Sequence, residues 1–317
     1  MALDRNRMAV AAAAPLTLVA VLAGCGSSPA AGPAAGEPAV RVVASTNVYG
    51  SIVRAVGGDR VAVTSVIDSP DADPHEYEAT PADAAAVNAA KLVVVNGGGY
   101  DDFATELVDA ASTKPTVVDV VELSGLRPAP GPAAGGDAPE FNEHVWYSLP
   151  TVEKLADRLA ADLGTADPGG AATYTANAAA FKRGIDGLEA KLAAIKAAHG
   201  GDQVAVTEPV PLYVVQDAGL VDATPEEFSE AAEEGTDPSA AVLEETLQLF
   251  TARTVRALLP NAQTESPSTR QVEQAAVGAG IPVVPVTETL PPGVDDYVVW
   301  QARQIDALAG ALDKPAG

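Results

Sequence analysis

The stretch Asp71-Ala72-Asp73-Pro74-His75-Glu76-Tyr77-Glu78-Ala79-Thr80-Pro81 lies between two segments of opposite character. Before it, Val61-Ala-Val-Thr-Ser-Val-Ile67 is β-branched and reads as a buried strand. After it, Thr80 is placed to cap a helix, with Pro81 at the first helical position and Asp83 in the first turn. His75 therefore sits in a strand-to-helix connection, where α/β proteins carry their ligand-binding groups. A loop histidine is ordinarily just solvated. This chain, however, has three histidines in 317 residues, and Pro74 restricts the backbone immediately before this one.

The alternation continues outward from that point. Val40–Ser45, Leu92–Val95 and Thr116–Val121 read as strands, with helices expected over Ile52–Val56, Pro81–Ala89 and Asp101–Ala110. Such alternation predicts an α/β fold with a mostly parallel sheet flanked by helices. Asn96-Gly-Gly-Gly-Tyr100 reads as a tight strand exit, because no phosphate-loop or nucleophile-elbow pattern accompanies it. A helix is expected over Thr151–Leu163. Ala171 to Ala198 then forms an Ala-rich stretch too long for one lobe, with His199 closing it at a helix C-terminus that favours a cation. Beyond it the pattern repeats. Gln203–Thr207 is expected as a strand delivering Glu208, and Ile281–Thr287 as a strand delivering Glu288. Helices are expected around Leu212–Ala218 and over Ala240–Thr251, Pro267–Gly278 and Tyr297–Leu312, with a strand over Val255–Leu259. A Glu at a strand end is most often a solvated rim residue, so Glu208 and Glu288 acquire meaning only together with other groups.

The N-terminus reads as a targeting segment. Arg5 and Arg7 precede an apolar run from Met8 to Val21, too short for a comfortable membrane span, so 1–24 fits a secretory signal. The run ends in Leu22-Ala-Gly-Cys25, which resembles the bacterial lipobox, whose Cys is lipidated. Cys25 is the sole cysteine, which excludes an internal disulfide and a thiolate cage. Residues 25–38 would then be the lipidated Cys and a flexible Gly/Ser/Pro/Ala tether. The remainder divides into an expected N-terminal lobe (39–165), a linking helix (166–199) and a C-terminal lobe (200–317).

Nineteen basic against 43 acidic residues give a formal charge of −24. That surface repels nucleic-acid phosphates and enriches cations nearby. At 4% aromatic content the chain is poorly supplied for stacking on sugars or nucleotides.

Pro74-His-Glu-Tyr-Glu-Ala-Thr-Pro81, placed between a strand and an Ala-rich helix, resembles the first ligand motif of the metal-binding solute-binding proteins, the zinc and manganese receptors of ABC importers. Asn142-Glu-His-Val-Trp146 resembles their second motif, with Glu143 standing where Pro is usual. Val204-Ala-Val-Thr-Glu208 and Val284-Pro-Val-Thr-Glu288 resemble the strands carrying the third and fourth ligands, the last more commonly Asp. Glu234-Gly-Thr-Asp-Pro238 resembles an acidic turn found between those strands, and the Arg127–Gly136 loop lacks the histidines of zinc-specific members. The resemblance implies two α/β lobes joined by one long helix and a metal set of His75, His144, Glu208 and Glu288, with Asp295 or Asp296 as alternatives to Glu288. His199, placed at a helix C-terminus that favours a cation, is expected to have no metal role. Two imidazoles and two carboxylates balance a divalent ion and leave no open position for a water nucleophile, so the expectation is binding and no enzymatic activity. The expected protein is a monomeric extracytoplasmic lipoprotein, anchored to the outer face of the cell membrane at Cys25. It would bind one ion, Zn²⁺ ahead of Mn²⁺, and deliver it to an ABC permease and its ATPase, without contact to nucleic acid. A manganese receptor of the same class, or an adhesin that uses metal for stability, is the alternative implied.

Overall fold

The computed structural model describes residues 40–69, 74, 75, 77–128 and 141–314. The expected signal segment, Cys25 and the tether lie outside the described residues, as does most of the Pro/Gly-rich loop after Arg127. Every described residue belongs to one compact unit, Pro38–Gly317.

The chain alternates β1 (Val40–Thr46), α1 (Asn47–Gly57), β2 (Val61–Ile67), α2 (Pro81–Ala89), β3 (Leu92–Val95), α3 (Asp102–Ala110) and β4 (Thr116–Asp119). The four strands form a parallel sheet in the order β2-β1-β3-β4. Their sequences are almost uniformly apolar because both faces are covered. Val40, Val42, Ala44, Leu92 and Val94 point into a large core shared with α1. Val43, Val93 and Val95 point the other way, against Val87 of α2 and Phe103 and Leu107 of α3. The short α4 (Val120–Ser124) and the long α5 (Leu149–Ala166) complete this half.

The expected strand Thr116–Val121 stops at Asp119. Its carboxylate accepts the Glu122 amide at 2.8 Å and caps α4, so local capping ends a β-branched run that propensity alone would extend.

At about 1.5 Å per residue, the 29 residues of α6 (Ala171–His199) span about 43 Å. Tyr174, Ala178, Phe181, Ile185, Leu188, Leu192 and Ile195 recur at three- and four-residue steps and form its buried stripe. That stripe packs on α1 and α5 of the first half and on α7 and α11 of the second.

The second half comprises β5 (Gln203–Val206), α7 (Leu212–Asp217), β6 (Val221–Asp222), α8 (Glu226–Glu233), α9 (Ala240–Thr251), β7 (Leu258–Leu259), α10 (Pro267–Ala279) and α11 (Tyr297–Leu312). Its sheet is parallel in the order β6-β5-β7. The strand expected over Ile281–Thr287 makes only two isolated parallel bridges, Leu258 to Val283 and Asn261 to Val286. Pro282 and Pro285 have no N–H to donate, so a continuous ladder cannot form there.

Candidate metal centre

His75 leaves β2 on the connection to α2. There Thr80 and Asp83 form a reciprocal capping box and Tyr77 donates to Asp83 at 3.2 Å. The helix start is thereby fixed behind the histidine. The His75 ring stands edge-on to Tyr100 at 5.1 Å between centroids.

The next strand exit supplies that tyrosine. Gly97, Gly98 and Gly99 all have positive φ, and the Asp101 carboxylate accepts the amides of Asn96 and Gly97 at 2.6 and 2.8 Å. A Cβ on Gly97 would lie 2.4 Å from the Asp119 carboxylate. The tight strand exit read from the sequence is therefore real, and it has a further consequence. It turns Tyr100 inward, where its hydroxyl donates to Glu288 at 3.0 Å.

His144 is 1% exposed, with its ring between Trp146 at 5.1 Å and Tyr100 at 5.9 Å. Asn142 Oδ1 lies 2.8 Å from its Nδ1 and 3.0 Å from its backbone amide. A proton on Nδ1 satisfies that contact and leaves Nε2, on the side of Glu233, as the nitrogen available to a metal. Burial, and next the nearby His75, hold the imidazole far below its ordinary 6.5, down to about 3. It is neutral at physiological pH, the form in which a histidine ligates.

Glu208 follows β5 and Thr207, and is 3% exposed; Glu288 is 5% exposed. One side chain joins them: the Asn261 amide donates to Glu208 at 2.5 Å and to Glu288 at 2.7 Å. Thr264 also donates to Glu208. Asn261 is itself fixed by its backbone amide, which donates to Thr207 Oγ1 at 2.9 Å. A loop rather than a strand delivers Glu288. Gln263 Oε1 accepts the amides of Glu288 and Thr289 at 2.6 and 2.9 Å. The alternatives Asp295 and Asp296 are exposed, and Asp296 is occupied as the N-cap of α11. His199 lies between Asp202 and Asp313 at 3.2 Å each, at the far end of α6.

Two further carboxylates, not among the residues singled out from the sequence as ligands, lie beside these histidines. His75 Nε2 lies 3.8 Å from Glu143, and His144 Nε2 lies 3.6 Å from Glu233 at the C-terminal end of α8. Ligand atoms of His75, Glu143 and Glu233 all fall within 4.8 Å of one another. Burial, then the neighbouring Glu143, push the Glu233 carboxyl up to about 9, and Glu208 and Glu288 add to the repulsion. The signals were faint. Glu143 was a departure from a familiar motif, and Glu233 directly precedes the acidic Glu234-Gly235 turn. These residues border a cleft of about 930 Å³.

Residues 42–311 match the model of the periplasmic zinc-uptake complex component A family. The chain belongs to that family. The manganese-binding lipoprotein MntA of Halalkalibacterium halodurans is 32% identical over 174 residues, 55% of each chain. The iron-binding protein YfeA of Yersinia pestis is 28% identical over 152 residues, 48% of this chain and 47% of YfeA. This chain thus spans about half the length of these curated relatives. The crystal structure of ZnuA superposes with a TM-score of 0.69 at 25% identity, covering 86% of this chain and 99% of that one.

Proposed function

We propose that this protein is an extracytoplasmic receptor that captures one divalent transition-metal ion at His75, His144, Glu208 and Glu288 and hands it to an ABC permease and its ATPase. The observation that carries this reading is the Asn261 bridge. It holds two buried carboxylates side by side, and Tyr100, which donates to one of them, also stands 5.9 Å from the ring of the buried His144. Two carboxylates at such separation repel each other, and a divalent cation is the natural partner that removes the repulsion. Four protein ligands saturate a tetrahedral ion and leave no position for an activated water, so the role is carriage without chemistry. On this reading 39–165 and 200–317 act as the two lobes, and α6 as the link between them. Lipidation of Cys25 would anchor the receptor outside the membrane.

Zinc is proposed ahead of manganese. Imidazole nitrogens suit Zn²⁺, and the affinity order places it well above Mn²⁺ for almost any nitrogen and oxygen site. The manganese reading draws on the similarity to MntA and on the carboxylates, which can each bind through two oxygens.

The test is metal analysis of protein purified without added metal, followed by calorimetry. A structural zinc site supplies on the order of 10–16 kcal/mol, so losing one of four ligands should cost at least a few. His75→Ala and His144→Ala should weaken Zn²⁺ binding by orders of magnitude, and His199→Ala should not change it. Equal effects of all three would remove the proposed site. Displacement of Zn²⁺ by comparable concentrations of Mn²⁺ would reverse the metal preference.

A further inference from the structure

The candidate ligand groups are graded in exposure. His144, Glu208 and Glu288 are 1%, 3% and 5% exposed, whereas the side chains of His75, Glu143 and Glu233 are 31%, 14% and 18% exposed. The three outer groups come from three separate elements: the β2–α2 connection, the loop before Trp146 and the end of α8. They nevertheless bring ligand atoms within 4.8 Å of one another. The fully buried His144 points its Nε2 at Glu233 from the inner side, 3.6 Å away. Glu233 Oε1 is itself buried and has no hydrogen-bond partner among the described residues. The inner carboxylates differ, being held by Asn261, Thr264 and Tyr100.

We infer that His75, Glu143 and Glu233 form an outer metal site that shares His75 with the inner one and takes a divalent cation from solvent before it moves inward to His144, Glu208 and Glu288. The inference rests on the inner site proposed above. His75 belongs to both positions and Glu233 adjoins His144, so the ion exchanges ligands one or two at a time and is never stripped of all of them. Three partly exposed ligands shed and regain water readily, which suits capture. Three buried ligands together with His75 suit retention. A receptor with only the inner set would have to desolvate the ion and part the Asn261 contacts in one step. The outer site divides that barrier.

The chain has two tryptophans, and Trp146 stacks 5.1 Å from His144, so its fluorescence reports arrival at the inner site. Stopped-flow mixing of the full-length protein with Co²⁺ alone would compare wild type with Glu143→Gln, Glu233→Gln and the double variant. Glu234→Gln is the control: it lines the same cleft, is exposed, and makes the same carboxyl-to-amide change outside the three. We expect the double variant to associate about tenfold more slowly or worse, with its equilibrium Kd within about threefold of wild type because dissociation slows in step. That near-constant Kd would also show that the variant is folded. Association at the wild-type rate, or equal slowing by Glu234→Gln, would overturn the outer site. A Kd weakened wholly through faster dissociation would also overturn it, since the two carboxylates would then be permanent ligands. In the first two of these cases wild type still binds Co²⁺ and the inner site stands; in the third the retained ion is held by Glu143 and Glu233, and the ligand set proposed above is replaced. If His75→Ala, His144→Ala and wild type all fail to bind, the inner site falls and the outer one with it.

Discussion

His144 is the most buried of the proposed ligands, and its sequence context announced it better than its chemistry. The run Asn142-Glu-His-Val-Trp146 was legible as a motif. The burial that makes the imidazole useful was not, because Tyr100 and Trp146 enclose it from different segments. Glu208 and Glu288 were legible in the same way, as acidic residues ending apolar runs. Asn261, which joins them, was not, since nothing local marks an Asn after a strand of two residues as the bridge between carboxylates 53 and 27 positions away. The depressed pKa of His144 has a direct consequence for the metal-free protein. In the fold the ring stays neutral down to about pH 3, while in the unfolded chain it takes a proton below its ordinary 6.5. Between those values the unfolded state binds more protons, so stability falls as pH falls from about 6.5 toward 3, by at most about 1.4 kcal/mol per pH unit from this group. Denaturant unfolding of chelator-treated protein at pH 7 and pH 5 should show that loss in wild type. It should be smaller in His144→Gln, which has nothing to titrate. An identical pH dependence in both would mean that other groups account for it.

At the scale of elements, periodicity identified most helices and strands; it missed β6 and α8, expected β7 longer than Leu258–Leu259, and failed elsewhere where one side chain overrode the pattern. Asp119 ended β4 by capping, and Pro282 and Pro285 reduced a convincing β-branched run to two bridges. The long helix α6 was foreseen from its length and alanine content, but the roles of its two glycines were not. Gly184 faces α11 so closely that a Cβ would stand 3.0 and 3.2 Å from the two methyls of Val298, whereas a Cβ on Gly187 would meet nothing within 4 Å. Glycine costs roughly 1 kcal/mol against alanine inside a helix, so Gly187→Ala should stabilise the protein by up to about that amount. Gly184→Leu should destabilise it by about 1–3 kcal/mol, because overpacking forces two helices apart. Chemical denaturation of both variants checks the contrast. Equal shifts in the same direction would mean that α6 and α11 do not pack as closely as described.

For the whole molecule, the decisive feature is that the two sheets share one core. The largest apolar cluster runs from Val40 of β1 through the α6 stripe to Leu312 of α11. Polar contacts cross between the halves as well. The Tyr297 hydroxyl donates to the Trp146 carbonyl at 2.7 Å, Tyr147 to the Thr287 carbonyl at 2.6 Å, and Tyr213 to the Asn142 carbonyl at 2.7 Å. Asn47 and Leu290 exchange two hydrogen bonds at 2.9 and 3.2 Å. A hinge opening wide enough to part the two sheets would break these contacts and expose the core between α6 and its neighbours. An ion at the centre gains nothing comparable from such a motion. Its arrival should therefore be felt as stability and local rearrangement, with little change of shape. Binding only to the folded state adds RT ln(1 + [L]/Kd), about 2.7 kcal/mol at a hundredfold excess over Kd. Saturating Zn²⁺ should accordingly raise the thermal midpoint clearly. Small-angle scattering should give the same radius of gyration with and without the ion. A large contraction on metal addition would show that the common core parts in solution, and that metal binding closes the molecule and does not merely rearrange the cleft within a nearly fixed frame.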